Sequence, residues 1–526
     1  MALALSVPTA TQNSPKGLEI RPKQAKTWIE SLPLTKIMES GRQVYEHLVA
    51  LNRAKMPTDE RLELMEIYHP LLTTLQDELE HIYAYSPLPL PAKQRDAYEL
   101  ARSLASESAI GYKLVIVEKT SKLIAFGAKK ALPLPIHRAL GYLRQLLFQS
   151  YKTYYPVAAG TWREIHQLYG YCEEQGMLAE TPDAENKTSI QNLYLDVLLL
   201  SLADPFRLMQ READKVLELL AQNRGLVGLS DQRPEGVDPN QFFVVALDSD
   251  RAPRLLSQAL QDPEGQALRA LNLGALLERL KQRQQALAGN REALAKSRAT
   301  HDSADLIGRL LRLWGDPPKR QFRRNPADSS VVLCSGIKAI IYFADLAEQE
   351  DPHAEAQAID SARTLPLLKI PQDKASQAIG IEQWVVLNQS ANGLRLHREP
   401  GGSVGITVGE VIGVRFADGR AWNIGVVRWL NMLHNDDLEF GLELIAPCAR
   451  AIRMEPTIAS NGRKQAALQL PAMMQDDETE SLLTYPDTFS DLREFALSDG
   501  DATRYVRATT LVEKTARFDL FQFIPS

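Results

Sequence analysis

At Gly315-Asp316-Pro317-Pro318 the hydrophobic period of the chain changes, and this change limits the architecture more than any other feature. Upstream, apolar residues recur every three to four positions; downstream they alternate, or form short β-branched runs between Gly, Asn and Asp turns. A helix repeats its face every 3.6 residues and a strand every two, so the two halves call for different secondary structure. With 526 residues there is material for two to four domains with sizeable cores.

Residues 1–22 are rich in Ser, Thr, Pro and Lys with little periodicity and read as a flexible leader. A helical domain is expected over 23–224. Val44, Leu48 and Leu51 share one helical face, and Pro57 and Thr58 stop one helix and start the next. Thr58 suits a cap, Asp59 and Glu60 suit the positive end of the helix dipole, and Leu64, Ile67, Leu71, Leu75 and Leu79 continue the stripe. The connector Ser86-Pro87-Leu88-Pro89-Leu90-Pro91 has a partial echo in Leu132-Pro133-Leu134-Pro135. That raises an internal repeat, but the spacing is not sustained and an irregular bundle is the better reading. Residues 191–221 read as a helix pair bent at Asp204-Pro205.

Residues 225–314 form a mixed connecting region: a strand at 242–247 paired with 226–229, then helix from 255 to 314. Over 315–447, strands at 330–334, 383–387, 394–397, 411–416, 421–430 and 438–445 suggest an antiparallel barrel, with an insert at 336–380 that starts helical. Residues 448–526 form a smaller β unit, with a strand at 465–470, a solvated acidic loop at 475–480 and a terminal hairpin of 505–512 with 518–524. The fold class is multidomain α+β, an irregular α-helical domain followed by an antiparallel barrel and a smaller C-terminal β unit.

Composition narrows the function. A net charge of -6 opposes DNA or RNA binding, which needs a broad basic face, so any basic site is local. Cys172, Cys334 and Cys448 stand far apart without metal-ligand spacing, and the histidines are scattered; no metal or cofactor is expected, and the thiols read as reduced in a cytoplasmic protein. Residues 1–15 lack the pattern of a signal peptide, and the apolar run 193–203 is too short for a membrane span. Asp248 and Asp250 end a strand as a phosphotransferase would present its carboxylates, but no supporting lysine or acidic pair follows, and a capped turn is the simpler account. Glu292-Ala293-Leu294 matches a phosphodiesterase tripeptide without its metal ligands. With no P-loop, nucleophile elbow or HExxH, the chain does not read as an enzyme.

Lys319, Arg320, Arg323 and Arg324 place four cations in six residues just before the first barrel strand. Alone, such a run is a solvated linker. Downstream, Asn388-Gln389-Ser390-Ala391-Asn392-Gly393 forms a polar turn between two strands, which alone is an ordinary β-turn. Together, Arg320xxxArg324 and Asn388xSer390xxGly393 resemble the PilZ domain family of bacterial cyclic di-GMP receptors, whose RxxxR element precedes the first barrel strand and whose (D/N)xSxxG element lies on a later strand and turn. Gly425-Val426-Val427-Arg428-Trp429 and Phe440-Gly441-Leu442-Glu443-Leu444 are similar to the family's later strands. The likeness covers about 318–447 and departs from a compact PilZ domain in the 336–380 insert, which either leaves the pocket free or covers it.

The resemblance implies a cyclic di-GMP ligand. Arg320 and Arg324 would be its anchors, because a planar guanidinium bridges phosphate oxygens or reads the guanine edge in bidentate fashion. Arg323 and Lys319 would be secondary. Asn388 would meet a guanine edge, Ser390 a guanine or phosphate, and Gly393 would supply a positive φ or a close backbone approach. The implied function is a cytoplasmic receptor in which the ligand clamps the arginine linker and reorients the helical domain toward an unidentified protein partner, in surface attachment (biofilm) or motility signalling. The alternative is an adaptor whose barrel has lost the ligand and works only through protein contacts.

Overall fold

The structure is a computed structural model that describes residues 3–10, 21–121, 131–183, 187–232, 236–261, 265, 267–289, 298–317, 325–350, 381–398, 404–416, 421–433, 437–457, 464–472, 479–499 and 502–526. The basic cluster 319–324, the tripeptide 292–294, insert residues 351–380, leader residues 11–20 and acidic residues 475–478 lie outside the described residues.

The helical domain is built from α1 (Pro22–Ser31), α2 (Ile37–Arg53), α3 (Thr58–Tyr83), α4 (Ala92–Ser121), α5 (Pro133–Lys152), α6 (Thr161–Gln175), α7 (Ile190–Leu202) and α8 (Glu212–Gln222). The apolar stripe of α3 is buried at Leu64, Leu71, Leu75 and Leu79, and α4 packs against α2, α3 and α5 at once, a centre that no two-helix repeat would have. A Cβ on Gly111 of α4 would lie 2.5 Å from Met65 Sδ, so glycine sets how closely α3 approaches. Thr58 is not the cap: Pro57 holds the N-cap position without a side-chain bond, and the Thr58 hydroxyl donates to Glu118 of α4. Pro133 opens α5, where its missing N–H costs nothing, so the second proline run starts a helix and is not a connector like the first. Residues 3–10, expected in a flexible leader, rest on this domain with Leu5 buried.

The connecting region differs from expectation. β1 (Gly228–Ser230), β2 (Phe243–Ala246), β3 (Arg254–Leu255) and β4 (Leu268–Asn272) form a sheet in the order β1-β4-β2-β3. β1 therefore pairs with β4 and not with β2, and β4 occupies residues read as helix. The short α9 (Leu256–Ala259) precedes β4, and the helical reading holds for α10 (Gly274–Gly289) and α11 (Arg298–Gly315).

β5 (Asn325–Ser335), β6 (Ile381–Ser390), β7 (Gly393–Arg398), β8 (Val411–Phe416), β9 (Asn423–Met432) and β10 (Leu438–Ala446) close an antiparallel barrel in the order β10-β7-β6-β5-β8-β9. β11 (Arg450–Pro456), β12 (Gln465–Leu470), β13 (Ser481–Thr484), β14 (Glu494–Asp499), β15 (Ala502–Lys514) and β16 (Asp519–Pro525) close a second, in the order β11-β12-β13-β16-β15-β14. Closure leaves neither barrel a free edge.

Two seams hold the parts together. The first proline connector docks on the barrel: Leu88 and Ile406 exchange both backbone hydrogen bonds (3.1 and 3.0 Å), Met432 N–H donates to Tyr154 O (2.8 Å), and one apolar core runs from the helices through Leu88 and Ile406 to Trp384 and Phe440 inside the barrel. Between the barrels lies a second core, Trp422, Ile424 and Val426 against Leu468, Leu483 and Phe518. The insert begins with α12 (Ile337–Glu350), whose Ile337, Ile340 and Phe343 fill that gap, Phe343 stacking on Trp422 at 5.3 Å. α12 leaves from the Ser335 end of β5, whereas the turn at Gly393 faces the Asn325 end, so the described part of the insert does not cover the turn.

Candidate functional site

The NxSxxG turn is a tight hairpin. Ser390 closes β6, Ala391 and Asn392 make the turn, and Gly393 opens β7 paired directly with Ser390. Ser390 Oγ donates to Gly393 O (3.3 Å) and Asn392 O accepts from Leu444 N–H (2.8 Å), which ties the turn to β10. Gly393 is not among the residues with positive φ. It is needed for close approach: a Cβ there would lie 3.2 Å from Ser390 Oγ and 3.3 Å from Leu442 O, tighter than side chains ordinarily pack.

Trp384 and Val386 of β6 point into the barrel, and strict alternation would send Asn388 inward after them. Instead the pairing jumps from Val386↔Leu396 to Asn388↔Arg395, leaving Leu387 as an extra residue. Such a bulge re-aims the residue that follows. Leu394 and Leu396 are buried, so Arg395 and its partner Asn388 lie on the outer face, with Ser390 two positions on.

The same face continues across the barrel. Arg395 pairs with Gly441 of β10, and Gly441 with Trp429 of β9. A Cβ on Gly441 would collide with the Trp429 indole, so the ring lies over bare backbone. Arg395 is half-exposed, its Nε donating to the buried Glu439 carboxylate at 3.1 Å, which orients the guanidinium. Sequence reasoning had not singled out Arg395 or Trp429 as site residues. Period two from Gly393 would have found Arg395; the place of Trp429 depends on register.

On the other flank, Asn325 pairs with Gln389 and Pro326 with Asn388. Asn325, the first described residue after the basic cluster, therefore stands beside the turn. Glu443 stands opposite Gly393 and receives Arg428 Nε (2.6 Å), while the other nitrogens of Arg428 reach Glu513 of the C-terminal barrel (2.6 and 2.9 Å). Burial pulls the Arg428 pKa down, and the two carboxylates more than offset it, leaving it raised.

The carboxylates of Asp248 and Asp250 are occupied structurally. Asp250 accepts from Gly160 N–H (2.6 Å) and Arg163 N–H (2.9 Å), capping α6, and Asp248 accepts from Ala267 N–H (3.1 Å). That is the arrangement of a capped turn and not of a nucleophile with its acid. Among the described residues no cluster of His, Cys, Asp or Glu is arranged to hold a metal, and no helix is long and apolar enough to cross a membrane.

Comparison with known proteins agrees along the chain. Family models for the cyclic-di-GMP receptor FimW match in order: its N-terminal domain over residues 23–235, its middle PilZ domain over 242–358 and 348–451, and its C-terminal beta-barrel domain over 451–526. A curated relative, the "Cyclic-di-GMP receptor FimW" of Pseudomonas aeruginosa, is 27% identical over 542 residues, covering 92% of this chain and 87% of that protein. With a helical domain, a PilZ barrel and a second barrel in the order those models require, the chain belongs to the FimW family, a family of receptors and not of enzymes.

Proposed function

We propose that this chain is a cyclic di-GMP receptor whose ligand binds on the outer face of the PilZ barrel, between the NxSxxG turn and the arginine linker. The observation that supports the reading is the β5–β6 register, which sets Asn325, the residue that follows the RxxxR segment in the sequence, opposite Gln389 of the turn strand. Arg320 and Arg324 anchor the ligand, and Arg323 and Lys319 add charge for its second phosphate. Asn388 and Ser390 bond a guanine edge, Arg395 extends the row, and the Trp429 indole offers a stacking surface for a base. Charge-assisted hydrogen bonds contribute about 1.5 to 3 kcal/mol each. Three or four of them reach the roughly 8 kcal/mol of micromolar binding.

The ligand draws the linker against the barrel, and α11, only a few residues upstream, moves with it. This alters how the helical domain meets a protein partner. The apolar seam at Leu88 and Ile406 opposes a swing of the whole domain, and because Leu306, Ile307, Leu310 and Trp314 of α11 are buried in the same core, the change is a small adjustment at the C-terminal end of α11. We place the receptor in the cytoplasm, where this second messenger is made and read, and in surface attachment or motility signalling.

Calorimetric titration with cyclic di-GMP tests the reading. Saturable binding, reduced at least tenfold in Arg320→Ala and Arg324→Ala, is expected. Binding unchanged in the double variant overturns the clamp, and no binding at all leaves the ligand-free adaptor.

A further inference from the structure

Residues 3–6 lie extended along α6. Ala4 N–H donates to Gln167 Oε1 (2.9 Å) and Ser6 N–H to Glu164 Oε1 (2.7 Å), while Leu5, between them, is 8% exposed. Alternate backbone amides bonded to one neighbour, with the apolar side chain between them buried, is how a strand-like peptide is held. The acceptors are spaced three residues apart on one helix, so they lie along one face. Glu164 is fixed in turn by Lys113 of α4, whose Nζ reaches both carboxylate oxygens (2.9 and 2.8 Å), both residues being buried. The seat is therefore preformed by the helices.

The chain's own segment fills it incompletely. A cavity of about 690 Å³ adjoins Ala4 and Ser6 and is lined by Tyr45, Arg102, Ile110, Leu143 and Leu146. Alanine and serine are too small to fill it. A peptide with Leu at the position of Leu5 and longer side chains on either side would keep both amide bonds and fill the space.

We propose that the groove between α4 and α6 is a docking site for an extended, leucine-anchored peptide of a partner protein, held in this structure by residues 3–6 of the chain itself as a displaceable occupant. The proposal does not depend on dinucleotide binding, and its test contains none.

The test uses a fluorescent peptide of residues 1–10 and, as acceptors, the full chain, the chain lacking residues 1–10, and the full-length Leu5→Asp variant. Saturable anisotropy is expected with the shortened chain and with Leu5→Asp, and binding at least tenfold weaker with the full chain, whose own segment competes. A peptide carrying Leu5→Asp should bind the shortened chain at least tenfold more weakly than the unaltered peptide. Absence of saturable binding to both altered acceptors overturns the proposal. So does loss of helical circular dichroism in the shortened chain, because a segment required for folding is not an exchangeable ligand.

Discussion

Asn388 stands opposite Arg395 on the outer face of the PilZ barrel because Leu387 is an extra residue in β6. A one-residue change of register moves side chains to the other face, so this bulge decides whether the NxSxxG asparagine meets solvent or the core. Asn388→Ala should lower dinucleotide affinity about tenfold, the worth of roughly one such hydrogen bond at about 1.4 kcal/mol. It should leave the thermal midpoint nearly unchanged, since the residue packs outside the core. Calorimetry and a melt on the same sample check both.

Gly441 lies beneath the Trp429 indole. Gly441→Ala is expected to lift the half-exposed ring off the barrel, red-shift tryptophan emission and weaken ligand binding severalfold. An unchanged spectrum would mean that the ring does not need bare backbone under it.

Arg428 joins Glu443, beside the turn, to Glu513 of the second barrel. Arg428→Ala leaves two carboxylates facing each other across the junction and should cost about 1 to 2 kcal/mol, a value reduced by their partial exposure. Cleavage by added protease in the short link between β10 and β11 should quicken. Digestion followed by mass spectrometry measures it.

Leu88, fully buried, fixes the helical domain to the barrel. Truncation to alanine should destabilise the protein by about 2 to 5 kcal/mol, the usual cost of a cavity in a core. Gly405→Ala should disturb the same seam, because its Cβ would lie 2.7 Å from Pro87 Cβ. Urea unfolding of the two variants measures this.

His166, fully buried between Tyr194 OH and Arg251 O, has its pKa pushed by burial from 6.5 to about 4. Between these values the unfolded chain binds the proton and the folded one does not, so stability falls as pH drops from about 6.5 to 4 and is unaffected by this group above that range. The loss is at most about 3 to 4 kcal/mol, one pKa unit being worth about 1.4 kcal/mol. His166→Gln should flatten that part of the profile relative to the unaltered chain, as read by urea midpoints at pH 7 and pH 4.5.

Elements written in local pattern were legible and those written in distant pairing were not. β8 (Val411–Phe416) carries its own alternation and turn residues, as does the hairpin at Gly393, and both lie where the residues placed them. β4 offers only Leu268, Ala270 and Leu271 before a true helix, and is a strand because β1 and β2 pair with it from either side. β11, β13 and β14 passed unread for a similar reason: short and partly polar, they are strands through the closure of the second barrel. In the site, Asn388, Ser390 and Gly393 were visible as a motif. Arg395 and Trp429 join them only through register.

The sequence alone determined the division into helical and β halves, because the periods of 3.6 and 2 are properties of the local backbone that every stretch of side chains must match. It also determined the PilZ likeness, since cations, amide, hydroxyl and glycine stand at fixed spacings. Tertiary structure alone decided which way those groups face. A bulge at Leu387, a glycine under Trp429 and a proline connector docked at Ile406 are relations between residues far apart in the chain. Each exists only once packing has brought its partners together.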